Sequence, residues 1–152
     1  KELENFLGDE FYTAPATTTL DMYGCYPGGL LNHSLKACKY AIKTNELLPE
    51  NMRVDTKSII KCIFLSQIGK VFLFCPNTNE WQRKTLGKMY EFCDNLVSLR
   101  AGERAAHYAT KYGVELTEEE LKEFCVCTGH PFDKINTYHY KDIRVLYDWG
   151  RK

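Results

Sequence analysis

Three groupings of side chains in this sequence are of types that can bind a ligand or move a proton. Ser66 and Gln67 directly follow the apolar run Ile59-Ile60-Lys61-Cys62-Ile63-Phe64-Leu65, which places two polar groups near the centre of the expected fold. Buried polar groups need partners or cost about 1–3 kcal/mol each. The pair is therefore either a helix losing its buried face as it ends at Gly69 or the lining of a polar pocket. His33 stands at the edge of an apolar helical face, beside Leu30 and Ala37. A histidine there is ordinarily a hydrogen-bonded structural residue, and otherwise a ligand or a proton carrier. The third grouping is Cys125-Val126-Cys127 with His130. Residues two apart on a helix point to different faces, and no clear fourth ligand follows, so the spacing is poor for zinc. The sequence has no Ser-His-Asp arrangement, no phosphate-cradling glycine loop and no His-Glu-x-x-His motif.

The elements that must position these groups are mostly helical. About 1–27 reads as an irregular lead-in, rich in Thr, Ala, Pro and Tyr, closed by the turn Pro27-Gly28-Gly29. From Leu30 the residues Leu31, Leu35, Cys38 and Ile42 recur at helical spacing as one apolar stripe, ended by Pro49. Asp55-Thr56 starts the next helix, whose run to Leu65 is apolar on nearly every side and belongs at the domain centre. Val71 to Phe74 is β-prone, and a small hairpin or loop excursion through Trp81 and Tyr90 to Cys93 follows. A helix over about Ala101 to Tyr112 buries Ala105, Tyr108, Ala109 and Tyr112 and stops at Gly113. Thr117 with Glu120 forms a capping box before Leu121, Phe124 and Cys125, and Asp142 opens a last helical segment with Ile143, Leu146 and Tyr147. The sum is a mostly α bundle of about five or more helices in one domain, residues 1–152.

Twenty basic and twenty acidic residues cancel in the 152-residue chain, so there is no overall charge footprint for nucleic-acid binding. The best local basic patch, Gln82-Arg83-Lys84 with Lys88, reads as a solvated loop. No stretch approaches the ~20 apolar residues of a membrane span. The opening Lys1-Glu2-Leu3-Glu4 has neither a signal-peptide pattern nor an initiator methionine, so processing or trimming is expected. The seven cysteines are odd in number and several lie inside apolar helical patterns. They read as small buried hydrophobes in a reducing, cytoplasmic compartment.

Phe11-Tyr12-Thr13-Ala14-Pro15-Ala16-Thr17 followed by Gly24-Cys25-Tyr26-Pro27-Gly28-Gly29-Leu30-Leu31-Asn32-His33-Ser34 resembles the opening of HD-domain metal-dependent phosphohydrolases. The likeness is greatest to the short single-domain kind of bacteria and their phages, and it runs through nearly the whole chain. It implies that a glycine pair introduces a helix carrying a first metal-binding histidine, here His33. It sets Ser66-Gln67 where the family has an adjacent His-Asp pair. It also sets Ala101, in Arg100-Ala101-Gly102-Glu103-Arg104, and Thr128, after Cys127, where the family has histidines. Tyr147-Asp148-Trp149 resembles a closing Ala-Asp motif with the aspartate kept.

A hydrolytic divalent ion needs about three to four His, Asp or Glu ligands. On this mapping only His33 and Asp148 remain, so the resemblance implies a catalytically degenerate protein with no metal and no cofactor. The old site would persist as a pocket of His33, Ser66, Gln67, Lys70, Arg100, Thr128 and Asp148. Its partner would be a nucleotide-like or phosphorylated small molecule, held through Lys70 and Arg100, or another protein. A phage relative would act in the host cytoplasm. The alternative is an active metal-dependent phosphohydrolase on a nucleotide or nucleic acid, with ligands drawn from Glu103, His107, His130, Asp133 or His139. Glu103 and His107 are four apart on one helix face and could share an ion.

Overall fold

Between Thr13 and Leu30 the chain folds back on itself largely through backbone hydrogen bonds. The amide of Ala16 donates to Gly24 O at 2.9 Å, that of Gly28 to Thr13 O at 3.1 Å and that of Leu30 to Ala14 O at 3.0 Å. Gly24 and Gly28 take φ of 64° and 83°, the left-handed region where a side chain is strained. Gly29 is in contact with the carbonyl of Gly24, where a Cβ would collide. This knot launches the helix that begins at Gly29 and is why the Pro27-Gly28-Gly29 turn precedes it. The computed structural model describes residues 1–94 and 101–120; the segment expected from Asp142 lies outside them.

Helix α3 spans Gly29–Leu47 and buries Leu30, Ser34, Cys38 and Asn45. The sequence stripe through Leu31, Leu35 and Ile42 is thus rotated by about one residue from the real one, and Leu35 is 51% exposed. The buried face runs through Ser34 because its hydroxyl donates to Leu30 O at 2.8 Å, which hides its polarity inside the helix. Asn45 holds the chain beyond the helix: its Nδ2 donates to Val54 O at 2.8 Å and its Oδ1 accepts from Val54 N at 2.9 Å.

Helix α4 (Thr56–Gln67) begins at Asp55, whose carboxylate accepts the Ser58 amide at 3.3 Å. It buries Ile59, Cys62 and Leu65. It is not buried all round, as its composition suggested: Ile60 is 38% exposed. A 3-10 turn, Ile68–Lys70, follows without a break. Helix α6 (Ala101–Lys111) packs on that turn with Gly102, Ala105, Tyr108 and Ala109 buried, while Tyr112 is only half-buried. The approach is close enough that a Cβ on Gly69 would run into Ala101 O.

The lead-in is more regular than its composition indicated. Helices α1 (Glu2–Leu7) and α2 (Glu10–Thr13) precede the knot. Leu3, Phe6 and Leu7, spaced three and four apart, pack on a core of Ala14, Leu30, Leu65, Ile68 and Tyr108. Tertiary burial, not propensity, makes this short segment helical.

The β excursion is a two-stranded antiparallel sheet, β1 (Phe74–Pro76) against β2 (Tyr90–Phe92), with Phe74 opposite Phe92. Helix α5 (Glu80–Leu86) bridges the strands, and the buried Asn77 ties the excursion together by donating to Gln82 Oε1 and Lys88 O. Cys75 and Cys93 form a disulfide across this hairpin. Cys25, Cys38 and Cys62 are buried, as small hydrophobes. Burial pushes the Cys25 and Cys38 thiols up, away from the reactive thiolate. The disulfide weighs against the reducing compartment expected from the cysteine pattern. The chain is mostly helical, and no described helix is long and apolar enough to cross a membrane.

The capping box of Thr117 and Glu120 does more than start a helix. Glu120 accepts the Thr117 amide at 3.1 Å and donates its own amide to Thr117 Oγ1 at 3.2 Å. The same carboxylate accepts from Ser58 Oγ and Lys61 Nζ, both at 2.7 Å, fastening residues 117–120 to α4. The Lys61 and Ser58 hydrogen bonds hold the Glu120 carboxyl down at about 2, below its ordinary 4.5. A depressed carboxyl pKa stabilises the fold above the unfolded-state value, and that stability is lost as pH falls through the folded one. Glu120→Gln should therefore lower the melting temperature at pH 7, with a cost of roughly 1–3 kcal/mol. The gap to the parent protein should close between about pH 4.5 and 2. A gap that stays constant on acidification would show that the carboxylate charge is not what holds the helices together.

Candidate functional site

His33 sits in the first turn and a half of α3, just beyond the glycine knot. The knot also presents Tyr23, because Thr17 Oγ1 donates to the Tyr23 carbonyl at 2.6 Å and pins that residue. The two rings stack with centroids 4.3 Å apart and planes 27° from parallel. Lys70, from the 3-10 turn after α4, completes the group: its Nζ donates to Tyr23 Oη at 3.2 Å and stands 5.5 Å from the ring centroid. Three separate chain segments thus meet at His33, Tyr23 and Lys70.

The electrostatics of the group are cationic. Burial first, then the Lys70 and Lys36 ammonium charges, hold the His33 imidazole below its usual pKa of 6.5. It is therefore neutral at pH 7 and can accept or donate one hydrogen bond. Among the described residues no carboxylate contributes to this shift, in contrast to a histidine oriented by an acid.

Ser66 and Gln67 precede Lys70 at the end of α4 and, among the described residues, make no hydrogen bond of their own with Tyr23, His33 or Lys70; their hydrogen bonds are local. Ser66 Oγ donates to Ile63 O at 2.6 Å, and Gln67 Nε2 donates to Ser66 Oγ at 3.3 Å. Gln67 Oε1 is buried and accepts no hydrogen bond. None of the hydrogen bonds among described residues links His33 to Ser66 or Gln67, so no continuous polar wall runs from one to the other. Ala101 is brought to Gly69, two residues beyond Gln67, by the contact with α6. Arg100, Thr128 and Asp148 lie outside the described residues, as do His130, Asp133, His139 and the Cys125–Cys127 pair.

The described side chains at the mapped positions do not by themselves fit a hydrolytic metal. Serine and glutamine bring no anionic charge, and alanine has no donor at all. Among the described residues no three His, Cys, Asp or Glu side chains come together as a metal-binding group, Glu103 and His107 included. Tyr23 is the site residue that sequence reasoning missed. It carries no motif; only the folding of the glycine knot shows that it faces His33.

Two cavities lie elsewhere. One, about 280 Å³, is apolar and runs between α1, α2 and α4, lined by Leu3, Leu7, Phe11, Tyr12, Phe64 and Ile68 among others. The other, about 400 Å³, opens beside α5 between Thr78, Glu80, Arg83, Lys84 and Met89. The Tyr23–His33–Lys70 group lies at the surface: Tyr23 is half-exposed, and His33 and Lys70 are only partly buried. No protein-family model, curated protein or solved structure matches the chain.

The cationic setting of His33 can be measured. In a proton–carbon correlation NMR titration its midpoint should fall below about 6.5, the value of an unperturbed histidine. Lys70→Met should move it upward, because removing a positive neighbour favours the protonated ring. A midpoint indifferent to Lys70 would mean that the ammonium does not face the ring.

Proposed function

We propose that this chain is a non-catalytic HD-like module that binds a nucleotide-like, phosphate-bearing ligand at the surface formed by Tyr23, His33 and Lys70. The observation that carries this reading is the meeting of a stacked Tyr–His pair with a lysine, where an acid or a metal ligand would otherwise be needed for hydrolysis. The Lys70 ammonium would attract the phosphate as a compact point charge. The neutral His33 ring would donate one hydrogen bond to it. The exposed side of Tyr23 offers a flat apolar face for a base. Gln67, with its unmet amide oxygen, would take an N–H donor of the ligand on rotation of its amide.

Catalysis is absent from this reading for a chemical reason. Hydrolysis of a phosphate ester at neutral pH needs a water brought to a pKa near 7, which a bound metal supplies. Ser66, Gln67 and Ala101 stand where the resemblance calls for ligands, and none of them can hold the ion. The HD-like bundle and the family are part of the proposal; they rest on the opening motif and on the glycine knot that gives this motif a structural purpose.

Calorimetric titration with a 5′-nucleoside monophosphate should show saturable binding, and the unphosphorylated nucleoside should bind much more weakly. Lys70→Met should reduce the nucleotide's affinity by about ten- to a hundredfold, the range of a hydrogen bond to a charged group. Equal affinity for nucleotide and nucleoside, or no loss in Lys70→Met, would sink the reading. Metal-dependent release of phosphate by the purified protein would replace it with the enzymatic alternative.

A further inference from the structure

The balanced charge of the chain conceals a segregation. Helices α1 and α2 expose Glu2, Glu4, Asp9 and Glu10. The solvent face of α3 instead exposes Lys36, Lys39 and Lys43, and α3 has no acidic residue before Glu46 in its last turn. Among the described residues none of these three lysines makes an ion pair. Lys36 follows His33 by three residues on α3, one turn along the same face, so the stripe begins beside the site at the helix start. Exposed aromatic rings accompany it. Tyr40, 63% exposed, stands between Lys39 and Lys43, and Tyr26 accepts a hydrogen bond from Asn32 Nδ2 at 3.3 Å near the start of the helix.

We propose that the ligand of this protein is a single-stranded nucleic acid, held at one nucleotide by Tyr23, His33 and Lys70 and tracked along α3 by Lys36, Lys39 and Lys43. This inference rests on the nucleotide-binding reading above and names its ligand class. Seven residues of helix separate Lys36 from Lys43, about 10 Å at 1.5 Å per residue. That length corresponds to about two or three phosphates of one strand. The solvated face of an amphipathic helix ordinarily mixes acids with its lysines, which pair and screen each other. Here the lysines are unmixed over two turns and an exposed tyrosine sits among them. Cations spaced along a backbone with flat rings on which bases stack are the two parts of a single-strand platform. An acidic peptide would use the lysines and leave the rings idle.

The test uses fluorescence anisotropy with a labelled oligothymidylate of about ten nucleotides, a site size typical of single-strand binders. It should bind at least about tenfold more tightly than thymidine 5′-monophosphate and weaken steeply as salt rises. In the double variant Lys39→Glu, Lys43→Glu the oligonucleotide should lose about tenfold or more, with a shallower salt dependence, and the mononucleotide should bind as before. Tyr40→Ala should weaken the oligonucleotide alone. If the mononucleotide binds but the oligonucleotide gains nothing over it, or the double variant loses nothing, the inference fails while the nucleotide-binding reading stands. If the mononucleotide fails to bind and the oligonucleotide binding depends on Lys39 and Lys43 but not Lys70, the earlier reading fails and the α3 face alone is the site. Equal binding of a duplex or of a polyglutamate peptide would overturn the single-strand assignment.

Discussion

Two contacts of backbone against backbone, possible only where no side chain intervenes, determine where the polar groups of this protein meet. In the first, Gly29 lies against the Gly24 carbonyl, and three amides between residues 16 and 30 are satisfied across the knot. The knot sets the start of α3 and the position of Tyr23, and thereby the Tyr23–His33 stack. In the second, Gly69 lies against the Ala101 carbonyl and seats α6 on the turn that carries Lys70. A methyl group at either contact would force the elements apart, because a packed interior has little slack to absorb it. The site is thus a consequence of packing at positions that have no side chain.

The buried polar side chains follow a consistent logic. Asn45, Asn77 and Glu120 each lie inside the fold, and each holds together segments that the hydrophobic core does not reach. Their hydrogen bonds are made in both directions or by several partners, so burial costs little and the geometry is fixed. Gln67 differs, since its Nε2 finds Ser66 while its Oε1 finds nothing. A buried polar atom without a hydrogen bond among the described residues is where the fold departs from self-consistency, and such departures concentrate at sites of function.

The helices were legible where local signals agreed. Asp55 as an N-cap, Gly113 as a stop and the Thr117–Glu120 capping box could be read directly, because caps depend on residues within one turn. What failed depended on tertiary context. Ser34 was passed over as polar, which rotated the expected buried face of α3 toward Leu35; its internal hydrogen bond makes it apolar from outside. The run at Ile59 to Leu65 suggested burial on every side, yet Ile60 faces outward, because a periodicity argument has no power in a segment that is apolar throughout. Leu3, Phe6 and Leu7 form too short a pattern to read as a helix without knowing the core they meet. Of the site, His33 and Lys70 were named from the sequence and lie together, whereas Tyr23 and the α3 lysines were not singled out. Aromatic and cationic residues are common on any surface, and only their placement gives them meaning.

On the proposed reading, the charge of the site is what lets it hold a phosphate without hydrolysing it. In a metal phosphohydrolase the cation that neutralises a phosphate is the metal, and anionic ligands are the means of holding it. On the proposed reading Ser66 and Gln67 stand in place of such ligands and bring no negative charge. A phosphate there would be met by a protein cation. Lys70 supplies one beside His33, and the unmixed lysines of α3 extend the same sign of potential along the helix. On that reading the uncharged Ser66 and Gln67 and the lysines of α3 favour an anion in the same sense.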